Sequence, residues 1–157
     1  MSPTPIITPI APRNEGFSLT EIVVAVTLIG ILTAFAVPRF THLANHARAS
    51  EVVGLGTNLR EAARLAHSQY LASGRNGTSA TVNGRSIALV NGYPDTSSNG
   101  IRSAIFDASG FTAKAVANSV KFSKTGAPVG DQCSVIYNMA PAESSPATIT
   151  NLDLSGC

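Results

Sequence analysis

The sequence predicts an α+β protein: a long kinked N-terminal helix packed on an antiparallel β-sheet. Three observations predict it. A charge-free apolar run fills residues 22–37, an amphipathic pattern with helical period follows over residues 52–66, and beyond Gly74 the chain breaks into short β-prone runs separated by turn residues. The 157 residues amount to about one domain. Charged residues make up 13% of the chain and apolar residues 44%, which excludes a disordered polyampholyte. Eleven basic and nine acidic side chains leave +2 with no run of like charge, so nucleic acid is not an expected partner.

The opening segment, MSPTPIITPIAPRNEG, places four of the nine prolines in its first twelve residues. It is therefore not helical, and it reads as a leader removed on maturation. Ile22 to Val37 reads IVVAVTLIGILTAFAV. With Phe17 to Glu21 in front, about 21 residues make a helix of roughly 31 Å, the thickness of a bilayer core. A buried core helix is the alternative, but a small domain rarely hides so long a helix that is apolar all round. Glu21 lies inside this stretch, where a carboxylate costs at least ~2.5–3.5 kcal/mol and so requires a partner. Arg13, Glu15 and Arg39 are the nearby charges, and none neighbours Glu21 along a helix face. The partner comes from another molecule or from an amine released by cleavage. A glutamate snorkelling to lipid headgroups is the other reading.

Pro38 removes a backbone hydrogen bond and crowds the preceding turn, so a kink is expected there. Helical periodicity then resumes: Val52, Leu55, Leu59, Ala62 and Ala66 form one stripe, with Arg60, Glu61 and Arg64 off it. Gly54 and Gly56 weaken that half by about 1 kcal/mol each relative to Ala. Gly74 is a stop signal, so one helix from about Thr20 to Ser73, roughly 80 Å long, is expected. Asn83-Gly84, between Thr81-Val82 and Ser86 to Val90, predicts a two-residue hairpin, closed by Asn91-Gly92-Tyr93-Pro94 as a loop. Ile101 to Ala108 reads as a short helix ended by Gly110. Val116 to Ser123, Cys133 to Met139 and, more weakly, Ala147 to Leu152 read as strands. Cys133 and Cys157 are the only cysteines. An even pair downstream of a membrane anchor favours a disulfide over a metal site or reactive thiols.

Gly16-Phe17-Ser18-Leu19-Thr20-Glu21, followed at once by the apolar run and Pro38, resembles the cleavage and methylation motif of type IV pilins and pseudopilins. The resemblance implies that prepilin peptidase cuts between Gly16 and Phe17 and methylates the Phe17 amine. It also implies that Glu21 of one subunit neutralises the Phe17 amine of a neighbour. The leader departs from the pilin pattern in being long and barely basic. An ordinary secretory signal would instead cut after Ala36, within Ala34-Phe35-Ala36. Pro38-Arg39-Phe40, Ala47-Arg48-Ala49-Ser50, Asn91-Gly92-Tyr93-Pro94 followed by Gly100-Ile101, and the cysteine pair resemble pilins of the mannose-sensitive haemagglutinin type. In type IV pilins such a disulfide bounds a C-terminal loop on the filament surface.

The implied organisation is a leader over 1–16, a transmembrane and filament-core half-helix over 17–37, and an amphipathic half-helix with a β-sheet head over 38–157. The implied function is a structural pilus subunit for surface adhesion or motility. Its implied location is the inner membrane before assembly and the extracellular pilus afterwards. Its partners would be other pilin subunits, prepilin peptidase and the inner-membrane assembly machinery. A pseudopilin of a type II secretion system is the second reading, against which the cysteine-bounded C-terminus weighs. A secreted binding module or enzyme with an ordinary signal peptide is the third.

Catalytic, cofactor and metal sites are not expected. His42 and His46 stand one turn apart, but only Glu51 is near enough to add a ligand, and packing explains them better. His67 reads as a structural histidine. Gly54-Leu55-Gly56 lacks the third glycine of a dinucleotide fingerprint, and no Gly-x-Ser-x-Gly, Cys-x-x-Cys or EF-hand pattern occurs. Asn76-Gly77-Thr78 fits a glycosylation sequon, but the pilin resemblance implies a bacterium, where that sequon is seldom used. Arg75, Arg85, Arg102, Lys114, Lys121 and Lys124 are scattered solubilising charges.

Overall fold

The computed structural model describes residues 16–157, the side chains of residues 37, 38, 41 and 151 excepted; the leader expected over 1–16 lies outside the described residues except for Gly16. Helix α1 spans Leu19–Ala72, within one residue of the expected bounds at each end. Residue 38 is helical, so proline there does not divide α1 into two elements. The chain forms two compact units that meet after Phe40. The described part of the first is Gly16–Phe40, helical from Leu19 onward. None of the apolar window Leu19–Ala36 is buried, and its mean hydropathy is 2.2. Among the described residues nothing in this unit covers that surface, and by length and composition the helix could cross a membrane.

The second unit packs the C-terminal half of α1 onto two antiparallel sheets. Strands β1 (Ser79–Val82), β2 (Arg85–Val90) and β3 (Tyr93–Pro94) form a three-stranded meander. The short helix α2 (Ile101–Ala104) leads to a four-stranded meander of β4 (Phe111–Val116), β5 (Ser119–Lys124), β6 (Ser134–Asn138) and β7 (Thr148–Asp153). A 3₁₀ turn over Gly130–Gln132 precedes β6.

One sheet was expected where two occur. Pro94 lacks an N–H to extend the ladder, so β3 stops at two residues and the chain leaves through α2 before a second sheet starts. Asn83 and Gly84 both have positive φ, as a type I′ hairpin turn requires. Asn91 and Gly92 repeat that geometry, so the expected loop is a second tight turn into β3. Gly92 is doubly constrained: a Cβ there would stand 2.6 Å from the Tyr70 ring. The expected helix over 101–108 ends at Ala104, with Ile105 already extended.

The helix contributes Val52, Leu55, Leu59, Ala63, Ala66 and Tyr70 to a single core. Five steps cover the 18 residues from Val52 to Tyr70, which is 3.6 per turn. The expected stripe through Ala62 ran at 3.5 and drifts off the face; Ala62 is only half-buried. Opposite the helix lie Ile87 and Leu89 of β2, Val120 and Phe122 of β5, and Val135 and Tyr137 of β6, alternating as strands do. α1 ends in a Schellman motif: Gly74 N–H donates to Leu71 O and Arg75 N–H to Tyr70 O, both at 3.0 Å, with Gly74 at φ +76°.

Candidate processing and assembly site

Gly16, Phe17 and Ser18 precede the first helical residue, and all three are exposed. Among the described residues, a Cβ at Gly16 would meet nothing within 4 Å, and residues 16–18 have no regular secondary structure. The helix ladder begins immediately, with Ile22 N–H donating to Ser18 O at 3.2 Å. Glu21 falls in the first turn, where the positive end of the helix dipole favours a carboxylate. Ser18 and Glu21 also stand at the N-cap and N3 spacing of a capping box. Beyond it Ile22, Val23, Val24, Val26, Leu28, Ile29, Ile31 and Leu32 are all at least half-exposed. Thr27 and Thr33 turn their hydroxyls back onto helix carbonyls (Val24 at 2.8 Å, Gly30 at 2.9 Å), so they add no unpaired donor to an apolar surroundings. The segment thus offers one cleavable bond, one carboxylate and an uncovered apolar surface.

At the other end of the chain, Cys133 and Cys157 form a disulfide with Cα atoms 4.8 Å apart. Arg48 of α1 donates to the Cys157 carbonyl at 3.0 Å, and Val129 N–H donates to Gly156 O at 3.2 Å. The C-terminal segment is therefore tied to helix, loop and strand at once. Arg48 is a tether that sequence spacing could not reveal, since 109 positions separate the pair. Beside this segment, Lys121 donates to Asp131 at 2.9 Å, and that bond with the ammonium charge holds Asp131 below the usual carboxylate range. The Ser155 hydroxyl and amide lower Asp153 in the same way.

His42 and His46 are exposed, and no group of three metal-ligating side chains occurs among the described residues. His67 is half-buried and stacks on Tyr93 with ring centroids 4.1 Å apart. Its Nδ1 lies 2.9 Å from the Gly92 carbonyl. A carbonyl only accepts, so Nδ1 carries the proton. Of the scattered basic residues, Lys124 pairs with Glu51 and lies 5.0 Å from the Phe111 ring centroid, and Arg85 covers Phe106 at 5.8 Å while donating to Ile105 O.

The Gly-Phe bond, the first-turn glutamate and the apolar helix lie together at the start of the described chain. Residues 12–37 match the prokaryotic N-terminal methylation motif. The chain is 39% identical over 54 residues to the type IV narrow pilus major component PilA5 of Thermus thermophilus, covering 34% of this chain and 47% of that protein. It is 43% identical over 49 residues to the type IV major pilin protein PilA of Myxococcus xanthus, covering 31% of this chain and 21% of that one. The chain thus spans about half the length of the first relative and about a fifth of the second. No solved structure matches it significantly.

Proposed function

We propose that the chain is a structural, non-catalytic subunit of a type IV pilus filament. The observation that carries this is the methylation motif at 12–37, coinciding with a wholly unburied apolar helix that has Glu21 in its first turn. Cleavage between Gly16 and Phe17 by a prepilin peptidase, followed by N-methylation, leaves a cationic amine on Phe17. The apolar helix anchors the subunit in the inner membrane until assembly machinery draws it into a fibre, and there the same surface packs against neighbouring helices. Glu21 of one subunit pairs with the Phe17 amine of the next. A misregistered neighbour strands a charge in an apolar core, so the pair sets the axial step. Pro38 bends the helix between its filament-core and head halves. At finer grain, Pro38-Arg39-Phe40, Asn91-Gly92-Tyr93-Pro94 and the disulfide-bounded C-terminus support a subunit of the mannose-sensitive haemagglutinin type, with the head facing the surroundings for attachment.

Electron microscopy of cells producing Glu21→Ala tests the pairing. Losing one side of a buried pair costs roughly 3–5 kcal/mol, repeated at every subunit, so filaments should be scarce or absent. The head is a separate compact unit and should fold as before. Normal fibres built from correctly cleaved Glu21→Ala subunits would show that the carboxylate does not direct assembly.

A further inference from the structure

The head carries a second chemical feature, apart from the segment proposed to direct assembly. A cavity of about 340 Å3 opens between the outer face of α1 and the start of β7, lined by Arg60, Ala63, Arg64, Tyr93, Thr148 and Ile149 among others. That volume is in the range of small-molecule pockets, ~300–1,000 Å3, and so is the lining: mostly apolar, with a few polar groups. Its charged groups have one sign. Arg64 lies 3.5 Å from Glu61, an exposed pair that holds it weakly, and Arg60 stands one helical turn before it on the same side. Tyr93 is held in orientation by its near-parallel stack on His67, whose Nδ1–H is in turn bonded to the Gly92 carbonyl at 2.9 Å. The aromatic wall is therefore set before any ligand arrives.

We infer that this cavity binds a carboxylate-bearing saccharide, the sugar carboxylate taken by Arg60 and Arg64 and the pyranose ring laid against Tyr93. Each part has a chemical reason. Guanidinium forks match the planar geometry of a carboxylate and form its stronger, charge-assisted hydrogen bonds. The electron-rich face of a tyrosine attracts the polarised C–H groups of a sugar ring. Thr148 supplies a hydroxyl at the rim, able to donate or accept toward sugar hydroxyls. A simple anion would use the arginines and leave the ordered aromatic wall without a function. The inference concerns the head alone and stands whether or not the chain polymerises.

The test uses the full chain in amine-oxide detergent micelles, which carry neither sugar nor carboxylate, with tri-galacturonate as probe. Saturation-transfer NMR and calorimetric titration should show saturable binding that weakens as salt is raised. The neutral tri-galactose should bind at least about tenfold more weakly, as the loss of a charged hydrogen-bond pair implies. Arg60→Gln and Arg64→Gln, both exposed on α1, should each weaken tri-galacturonate by about tenfold without changing the circular dichroism. Tyr93→Leu should weaken the trisaccharide but leave the weak affinity for acetate as it was. Should Tyr93→Leu fail to fold, the two arginine variants decide alone. Equal binding of the neutral trisaccharide, an unchanged affinity in Arg60→Gln, or no saturable binding would overturn the inference.

Discussion

Tyr137 joins the two sheets of the head through one atom. Its hydroxyl donates to the Pro94 carbonyl at 2.7 Å, from β6 to β3, and its side chain is fully buried. Burial, reinforced by the Asp95 carboxylate and by Tyr93, pushes the hydroxyl well above the usual phenol value of 10.0. The unfolded chain ionises this group first. Its contribution is thus complete below about pH 10 and is lost as pH rises toward the folded value. Tyr137→Phe should cost about 1–3 kcal/mol, because the Pro94 carbonyl stays buried without its donor. Urea midpoints between pH 8 and 11 check both statements: the variant should unfold at lower urea at pH 8, and its alkaline decline should be flatter than that of the parent chain. The proposed processing residues could be named from sequence at this scale, because Gly16, Phe17 and Glu21 stand within six consecutive positions. Arg60, Arg64 and Tyr93 were not, since only the fold brings β3 beside that turn of α1.

At the scale of elements, the two helix glycines separate propensity from packing. Gly54 is exposed and a Cβ there meets nothing within 4 Å. Gly56 is buried, and a Cβ would lie 3.2 Å from Leu152 Cδ1 and 3.6 Å from Val135 Cγ2. Gly54→Ala should therefore stabilise the chain by about 0.5–1 kcal/mol. At Gly56 the same helical gain is offset by displacing Leu152, so Gly56→Ala should be near neutral and Gly56→Val should destabilise by about 1–3 kcal/mol. Thermal melts of the three variants give the comparison directly; a Gly56→Val chain that melts like its parent would show that helix and sheet are loosely apposed. Element by element, Asn83-Gly84 announced the first tight turn, and the apolar period announced α1, whereas the second Asn-Gly pair read only as a loop. Strand β4 escaped notice. Its Thr112, Lys114, Ala115 and Val116 are exposed, so it lacks the alternation that marks a half-buried strand. Its turn into β5 puts Ala117 at φ +49°, where no glycine flags the reversal.

At the scale of the whole molecule, the apolar window of α1 is unburied among the described residues and the head is closed by a covalent link. The disulfide joins cysteines 24 positions apart. In the chain-entropy account a closed loop of that size contributes on the order of 3 kcal/mol. Cys157→Ser should then lower the melting temperature of the head by about ten degrees under oxidising conditions, and a reductant should do the same to the parent chain. An unchanged melt would mean that Arg48 and the Val129–Gly156 bond hold the terminus unaided. The uncovered helix carries the larger claim, that this surface first meets lipid and afterwards other copies of itself. That route requires cleavage at one bond only, ahead of the apolar run and not behind it. Mass spectrometry of the N-terminus of the surface-exposed mature protein reads the cut directly. The account predicts a chain beginning at Phe17 with a methylated amine and Glu21 retained; a chain beginning at Val37, with the apolar segment gone, would contradict it.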